Sequence, residues 1–547
     1  MAFKRTKSGL IAAIAVAIFP GCVEKVVEQV NVSGPAQQHV SEVVALSEDG
    51  SRIALKTSIE NDIEAAMHED GQIHNLSRDS EHDNVTIGLA GNNVIAKKKV
   101  GKDKVRLNIF DESGNTLFES QEFAYIGENA KAITPDKVLF YAWNGVDGGQ
   151  TFLHRVSTNN TEQLFPKALY SDIKGSLGDI VFLGKQDQNF VTTTYALKPG
   201  TSTFPDGLLV QIIAGQHEST NLLASSGRTA VFSRWVPVQE DIFVYDALSD
   251  VTKQLTLPAN RGLGWEFRLS QDGAGMITKF SVGPNHTDYE WWYVDTTQGG
   301  LNPTFIAPVT TVNENFQFDR MSLDGKVAAF QDRTNHRAFI FDAETHWFDD
   351  PLEYVAGVED SYCKGFSTDG KAVIQHWSTQ AEGSQVNLYD PNTHTFTELG
   401  DNNEDEYSNG SVRVTNDGKY AAIQARDVET NDVVVLLENL VTGQRDKVIA
   451  VEGSDLALIG ITPDSENILL TPYDWESDTD LWVYHIPDGK IRQVTDVEAK
   501  NRCWYEFVKS SGDDDVHIIR QFNNNGTNAY LKLDEDEPIA ELIGHGR

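Results

Sequence analysis

A chain of 547 residues with 81 Asp and Glu against 45 Lys and Arg carries a net charge of −36, which repels nucleic-acid phosphates and anionic lipid surfaces. At 40% hydrophobic and 10% aromatic residues it has ample material for a packed core, so it is not a disordered chain. Its length admits two to four ordinary domains or a repeat array. The acidity reads first as a soluble, self-repelling surface and second as a source of cation ligands.

Lys4, Arg5 and Lys7 precede an apolar run, Leu10 to Phe19, that is too short to span a bilayer as a lasting helix. Residues 1–21 therefore read as a signal peptide. The small residue Gly21 directly before Cys22 resembles the bacterial lipoprotein signal, which implies that Cys22 becomes the lipidated first residue of the mature chain. Several acyl chains on one residue would anchor stably. Val23 resembles the outer-membrane sorting pattern, so the expected place is the cell envelope, on the outer membrane. The polar residues that follow make 22–40 a tether. Cys363 and Cys503 fall at similar points of two units that are not neighbours, and they are expected to stay unbridged.

From residue 41 a pattern returns every 42 to 52 residues. Its clearest copy is Met321 to Asp350, MSLDGKVAAFQDRTNHRAFIFDAETHWFDD. Asp324-Gly325 is a strong hairpin signal, because glycine tolerates positive φ and aspartate bonds its own turn backbone. Val327 to Phe330 and Ala338 to Phe341 are apolar runs of buried-strand length, and Trp347-Phe348 opens a more polar strand. Related openings occur at Leu46-Ser-Glu-Asp-Gly50, Leu89-Ala-Gly91, Ile133-Thr-Pro-Asp136, Gly178-Asp179, Ser225-Ser-Gly-Arg228, Leu269-Ser-Gln-Asp-Gly273, Phe366-Ser-Thr-Asp-Gly370, Val414-Thr-Asn-Asp-Gly418, Ile461-Thr-Pro-Asp464 and Val508-Lys-Ser-Ser-Gly512. Four strands per unit at a period in the forties predict a β-propeller, an all-β fold.

The pattern Ser/Thr-x-Asp-Gly-Lys, an apolar strand, then an apolar run ending in Tyr/Phe-x-Asp resembles the TolB-type, WD40-like (PD40) propeller repeat. The resemblance covers about residues 41–543. Blades of this type serve unrelated tasks, and the TolB resemblance itself implies a binding role. Eleven units exceed the four to eight blades usual in one ring. The expected arrangement is two rings, residues 41–258 and 259–547, with the break at Pro258 to Gly264. A break at Lys198 to Gly207 or a single wide ring are the alternatives.

No chemical signature stands out. The nearest string to a Gly-x-Ser-x-Gly elbow, Gly365-Phe-Ser-Thr-Asp369, lacks the second glycine and lies in a blade turn. There is no His-Glu-x-x-His and no Cys-x-x-Cys. His286, His336 and His376 read as solvated loop residues. The acidic runs Asp401 to Glu406 and Asp513 to Asp515 read as loops, with loosely bound calcium as the alternative and no other cofactor expected. The residues expected around the second ring's channel mouth are Trp265, Glu266, Arg268, Arg320, Lys364, Arg413, Trp504, Tyr505 and Glu506. Four cations from four successive blades would focus positive potential in an acidic protein, and Trp and Arg are common interface anchors.

Two readings follow. The first is an envelope lipoprotein, held to the membrane by its lipid alone, whose propeller binds a protein or glycan and no nucleic acid. The alternative is a catalytic propeller, a polysaccharide lyase or glycosidase acting on an anionic sugar polymer. The sequence does not indicate an oligomeric state.

Overall fold

The Ser-x-Asp-Gly-Lys motif makes a hairpin because its first and third residues cap the turn. In the copy at Ser322, the hydroxyl donates to Asp324 Oδ1 at 2.8 Å and accepts the Val327 N–H at 3.0 Å, while Asp324 accepts the Lys326 N–H at 3.1 Å. Gly325 sits at φ 71, and a side chain there would come within 2.6 Å of the Gly275 backbone in the preceding unit. Glycine is thus required for conformation and for space. The same hydroxyl–carboxylate pair recurs at Ser270/Asp272, Ser367/Asp369 and Thr462/Asp464. The aspartate ending the third strand is also a turn cap. Asp246, Asp295, Asp342 and Asp390 each accept the N–H two residues on, at 2.8 to 3.1 Å.

A computed structural model describes residues 39–546 apart from stretches between strands, the longest being 199–207. The signal peptide, Cys22, nearly all of the tether, His286, and the runs Asp401 to Asp405 and Asp513 to Asp515 lie outside the described residues. So do the side chains of Trp265, Cys503 and Trp504. Among the described residues the fold is all-β, and its one helical element is a 3-10 turn, Pro351–Tyr354. No helix is long and apolar enough to cross a membrane.

Eleven antiparallel units, here blades 1 to 11, follow in chain order: 39–75, 84–119, 125–163, 170–213, 219–254, 261–309, 316–349, 358–399, 406–449, 456–493 and 503–546. Within each, the strands pair in sequence order. Blade 3 adds the short strand Tyr125–Ile126, and blade 9 opens on two short pieces, Glu406–Tyr407 and Val412–Val414. First strands of successive blades approach one another more than fourth strands do, so the first strands line the channel. Each first strand runs from an upper face, which carries the second-to-third connections, to a lower face, which carries the Ser-x-Asp-Gly turns.

The core lies between blades. Val231, Ile242, Val244 and Leu255 of blade 5 pack on Phe267, Met276, Phe280 and Val294 of blade 6. This is the point where the sequence suggested a break. From Arg261 to Gly264 the expected break is already part of strand Arg261–Leu269. At the other end, Ile518 and Tyr530 of blade 11 pack on Val40, Val43, Ile53 and Leu55 of blade 1, and His39 pairs with His545. Blade 11 therefore closes on blade 1. The blades form one ring, the wide-ring alternative, instead of the expected pair.

The turn aspartates give the fold an acid limit. Burial alone would raise the Asp295 carboxyl above its ordinary 3.8, but hydrogen bonds from Thr297 and Gln298 hold it lower. Asp246, Asp369 and Asp417 are lowered too, burial again being outweighed by hydrogen bonds to the carboxylate. Groups more acidic in the folded state stabilise it above their unfolded value and lose that contribution as pH falls through the folded one. The melting temperature should hold from pH 7 to about 5 and fall steeply below about 4. A flat profile down to pH 3 would refute this account of the turns.

Candidate binding site on the channel wall

Three first strands build the site: Phe316–Met321 of blade 7, Val358–Phe366 of blade 8 and Val412–Val414 of blade 9. Arg320 and Arg413 each stand two residues before the Ser or Thr that opens the turn. Lys364 comes one residue earlier relative to its own Ser367, and is skipped in the pairing between Cys363 and Gly365. Such a bulge re-aims a side chain.

The three cations line one cavity of about 570 Å³, with Phe318, Arg333, His336 and Tyr362 among its other walls. It runs from the second-to-third connection of blade 7, at the upper face, down the channel wall. The sequence places these cations around the mouth of the channel. They are within the strands, near their lower ends, because their place is set by distance from the turn.

Arg320 is held from two sides. Its Nε donates to Asp319 Oδ2 at 3.0 Å, and its Nη1 donates to the Lys364 carbonyl. Arg413 Nη1 donates to the Val412 carbonyl at 3.1 Å. The Lys364 ammonium lies 5.4 Å from the centre of the Tyr362 ring, a cation–π contact. The Tyr362 hydroxyl is 2.9 Å from His336 Nδ1, and Gln331 Nε2 donates to the Ser361 carbonyl at 3.1 Å. Burial lowers the Lys364 pKa, and the guanidinium groups of Arg320 and Arg413 lower it further. Behind it, burial pushes the Cys363 thiol up to about 12, so this free cysteine is inert packing.

Mutual repulsion is the physical content of this arrangement. Two guanidinium groups that help to lower the Lys364 pKa are held beside it by the fold, with Asp319 as the carboxylate among them. An anion entering the cavity relieves that repulsion, and a partly dry site strengthens the attraction.

The other expected residues scatter. Arg268 is exposed, pairs with Glu266 at 3.4 Å, and does not line the cavity. Tyr505 is buried between blades 10 and 11, its hydroxyl 3.3 Å from Thr495 Oγ1, and Glu506 is exposed. His376 corrects a loop assignment. It lies inside strand Ala372–Ser378, fully buried, with Asn387 at 2.7 Å, and burial lowers its pKa to about 4. His336 is the exposed loop residue it was read as, at φ 54, but its ring faces the cavity. Phe318, Arg333 and Tyr362 were missed. Tyr362 had a signal, two residues before Lys364 on the same strand. No group of His, Cys, Asp or Glu that could hold a metal occurs among the described residues.

No family model matches the chain, and no curated protein sequence matches it. Solved structures similar to it include an oligogalacturonate lyase in complex with manganese, at 13% identity over 64% of this chain and 86% of that one, with a TM-score of 0.28. An oligogalacturonate lyase from Vibrio parahaemolyticus shares 11% identity over 57% and 89%, with a TM-score of 0.27. Prolyl oligopeptidase B from Galerina marginata, bound to a macrocyclization substrate, shares 10% over 67% and 55%, with a TM-score of 0.32. What places this chain is its own architecture, that of a β-propeller of eleven blades with a basic cavity on the channel wall.

Proposed function

We propose that this chain is a cell-envelope lipoprotein, anchored through Cys22, whose propeller binds the acidic part of an envelope protein or glycan in the cavity of blades 7 to 9. The observation that carries this is the convergence of Arg320, Lys364 and Arg413 beside aromatic walls in a protein of net charge −36. The resemblance of the repeats to TolB-type blades supports a scaffold role, and the N-terminal Leu10 to Cys22 stretch supports the anchor. A photo-reactive phenylalanine placed at Tyr362 should crosslink to the partner in intact cells. The same group at Leu248, 78% exposed on a turn of the lower face, should not. Crosslinks from Leu248 and none from Tyr362 would move the site to the other face.

One observation favours the catalytic alternative as a second reading. Lys364 is an amine whose proton is loosened first by burial and then by two guanidinium groups, which suits a general base beside a carboxylate those groups hold. On an anionic sugar polymer this would be an elimination: the Lys364 amine takes a ring proton, the C–H electron pair becomes a double bond, the glycosidic C–O bond breaks, and the leaving oxygen takes a proton from water. Incubation with such a polymer separates the readings. Unsaturated chain ends that vanish in Lys364→Ala support catalysis, and intact polymer supports binding alone.

A further inference from the structure

A second basic feature opens on the upper face, far around the ring. Six of the chain's 45 Lys and Arg fall within ten residues, from Lys97 to Arg106. They ride on the hairpin of blade 2 formed by Asn93–Gly101 and Lys104–Phe110. Between this hairpin and blade 3 lies a cavity of about 450 Å³, walled by Lys97, Lys99, Lys102, Lys104 and Trp143, with Asp83 and Asp103 among them.

Trp143 stands directly opposite Tyr125 across paired strands, and the two are 41% and 47% exposed. Two large rings side by side in water, next to clustered ammonium groups, are unusual on a polar surface and mark a place that something covers. The row continues inward: Tyr141 lies 6.2 Å from Tyr125 and 5.9 Å from Tyr170 on blade 4.

We infer that this groove binds a polymer of acidic sugars. A pyranose ring offers an apolar face that stacks on Trp143 and Tyr125, and a uronate offers one carboxylate per ring to the ammonium groups. Lysine acts as a point charge without the planar fork of arginine, so the hairpin follows charges along a chain without selecting one bidentate group. The local charge is modest, since Lys97 pairs with Glu128 at 3.4 Å, Lys99 with Asp83 at 4.0 Å, Lys104 with Glu122 at 2.6 Å, and Arg106 with Glu119 and Glu122. Exposed pairs of this kind contribute little and exchange readily for a ligand carboxylate. Lys102, at the hairpin tip, has no ion-pair partner among the described residues. Modest charge suits one carboxylate per sugar better than the dense phosphates of a nucleic acid, which the chain's net charge repels.

The test is affinity electrophoresis of the full chain in gels containing alginate, dextran or no polymer. Alginate should retard the wild type and dextran should not. Trp143→Ala with Tyr125→Ala should weaken alginate affinity at least tenfold, and Lys99→Glu with Lys102→Glu should do the same, at unchanged melting temperature. Trp143→Phe keeps a ring and should retain most of the binding, which separates stacking from a folding defect. Arg320→Glu with Arg413→Glu should leave alginate binding intact, so failure here and failure of the blade 7 to 9 site are distinguishable. The inference is overturned by equal retardation in dextran, by equal affinity for single-stranded oligo-dT or polyglutamate, by full binding in the ring-deleted pair, or by loss of binding in the arginine pair.

Discussion

Phe330→Ala is expected to destabilise the protein by about 3–5 kcal/mol, the range for emptying a well-packed aromatic site. Phe330 is fully buried and sits inside a cage of rings. Trp291 of blade 6 lies 5.6 Å away, Phe316 stacks at 5.6 Å, and Phe318 and Phe348 approach at 5.8 and 5.9 Å. No side chain in this cage can shift inward without abandoning another contact, so the cavity should persist. Phe318 also walls the basic cavity, and losing Phe330 should loosen that wall. Denaturant unfolding would read the change as a lower midpoint at similar slope. A loss under about 1 kcal/mol would mean that the cage collapses freely, contrary to this packing.

Removal of blade 11 by a stop codon after Arg502 should cost more still. It uncovers Leu469, Leu481 and Val483 of blade 10 and Val40, Val43 and Leu55 of blade 1 at once. Each such side chain contributes roughly 1.5–3 kcal/mol when buried. A closed ring loses two interfaces from one deletion, whereas an open array loses one. The truncated chain should aggregate or bind hydrophobic dye. If it stays monomeric with the melting temperature of the full chain, blade 11 does not close the ring.

How much of this was legible in the sequence follows from what each residue does locally. Ser322, Asp324 and Gly325 cap a turn with their own side chains, so the turn shows in five residues and the blade around it follows. Ring number did not show. Val244 against Phe267 is the same kind of apolar contact as Ile340 against Ile374, so the interface between blades 5 and 6 carries no mark that distinguishes it from the others. Proline and glycine at 258–264 suggested a linker, but the pairing of Arg261 with Val282 starts within it. The cations of the site were legible as basic residues at similar points of successive units. Arg268, two residues before Ser270 as Arg320 is before Ser322, belongs to blade 6 and lies outside the cavity, which blades 7 to 9 line. His376 looked like a loop residue because polar residues surround it, yet its strand runs on to Ser378 and buries it.

The most direct measurement of the central claim is partner recovery from an envelope extract by the wild type and by Arg320→Glu with Arg413→Glu, across a salt series. Arg413 is exposed and Arg320 partly so, and the reversal should leave the melting temperature nearly unchanged. The wild type should recover its partner at low salt and lose it progressively as screening shortens the Debye length below about 8 Å. The reversed protein should recover none at any salt. Equal recovery by both proteins, with the same salt dependence, would contradict the assignment of the site to the channel wall of blades 7 to 9.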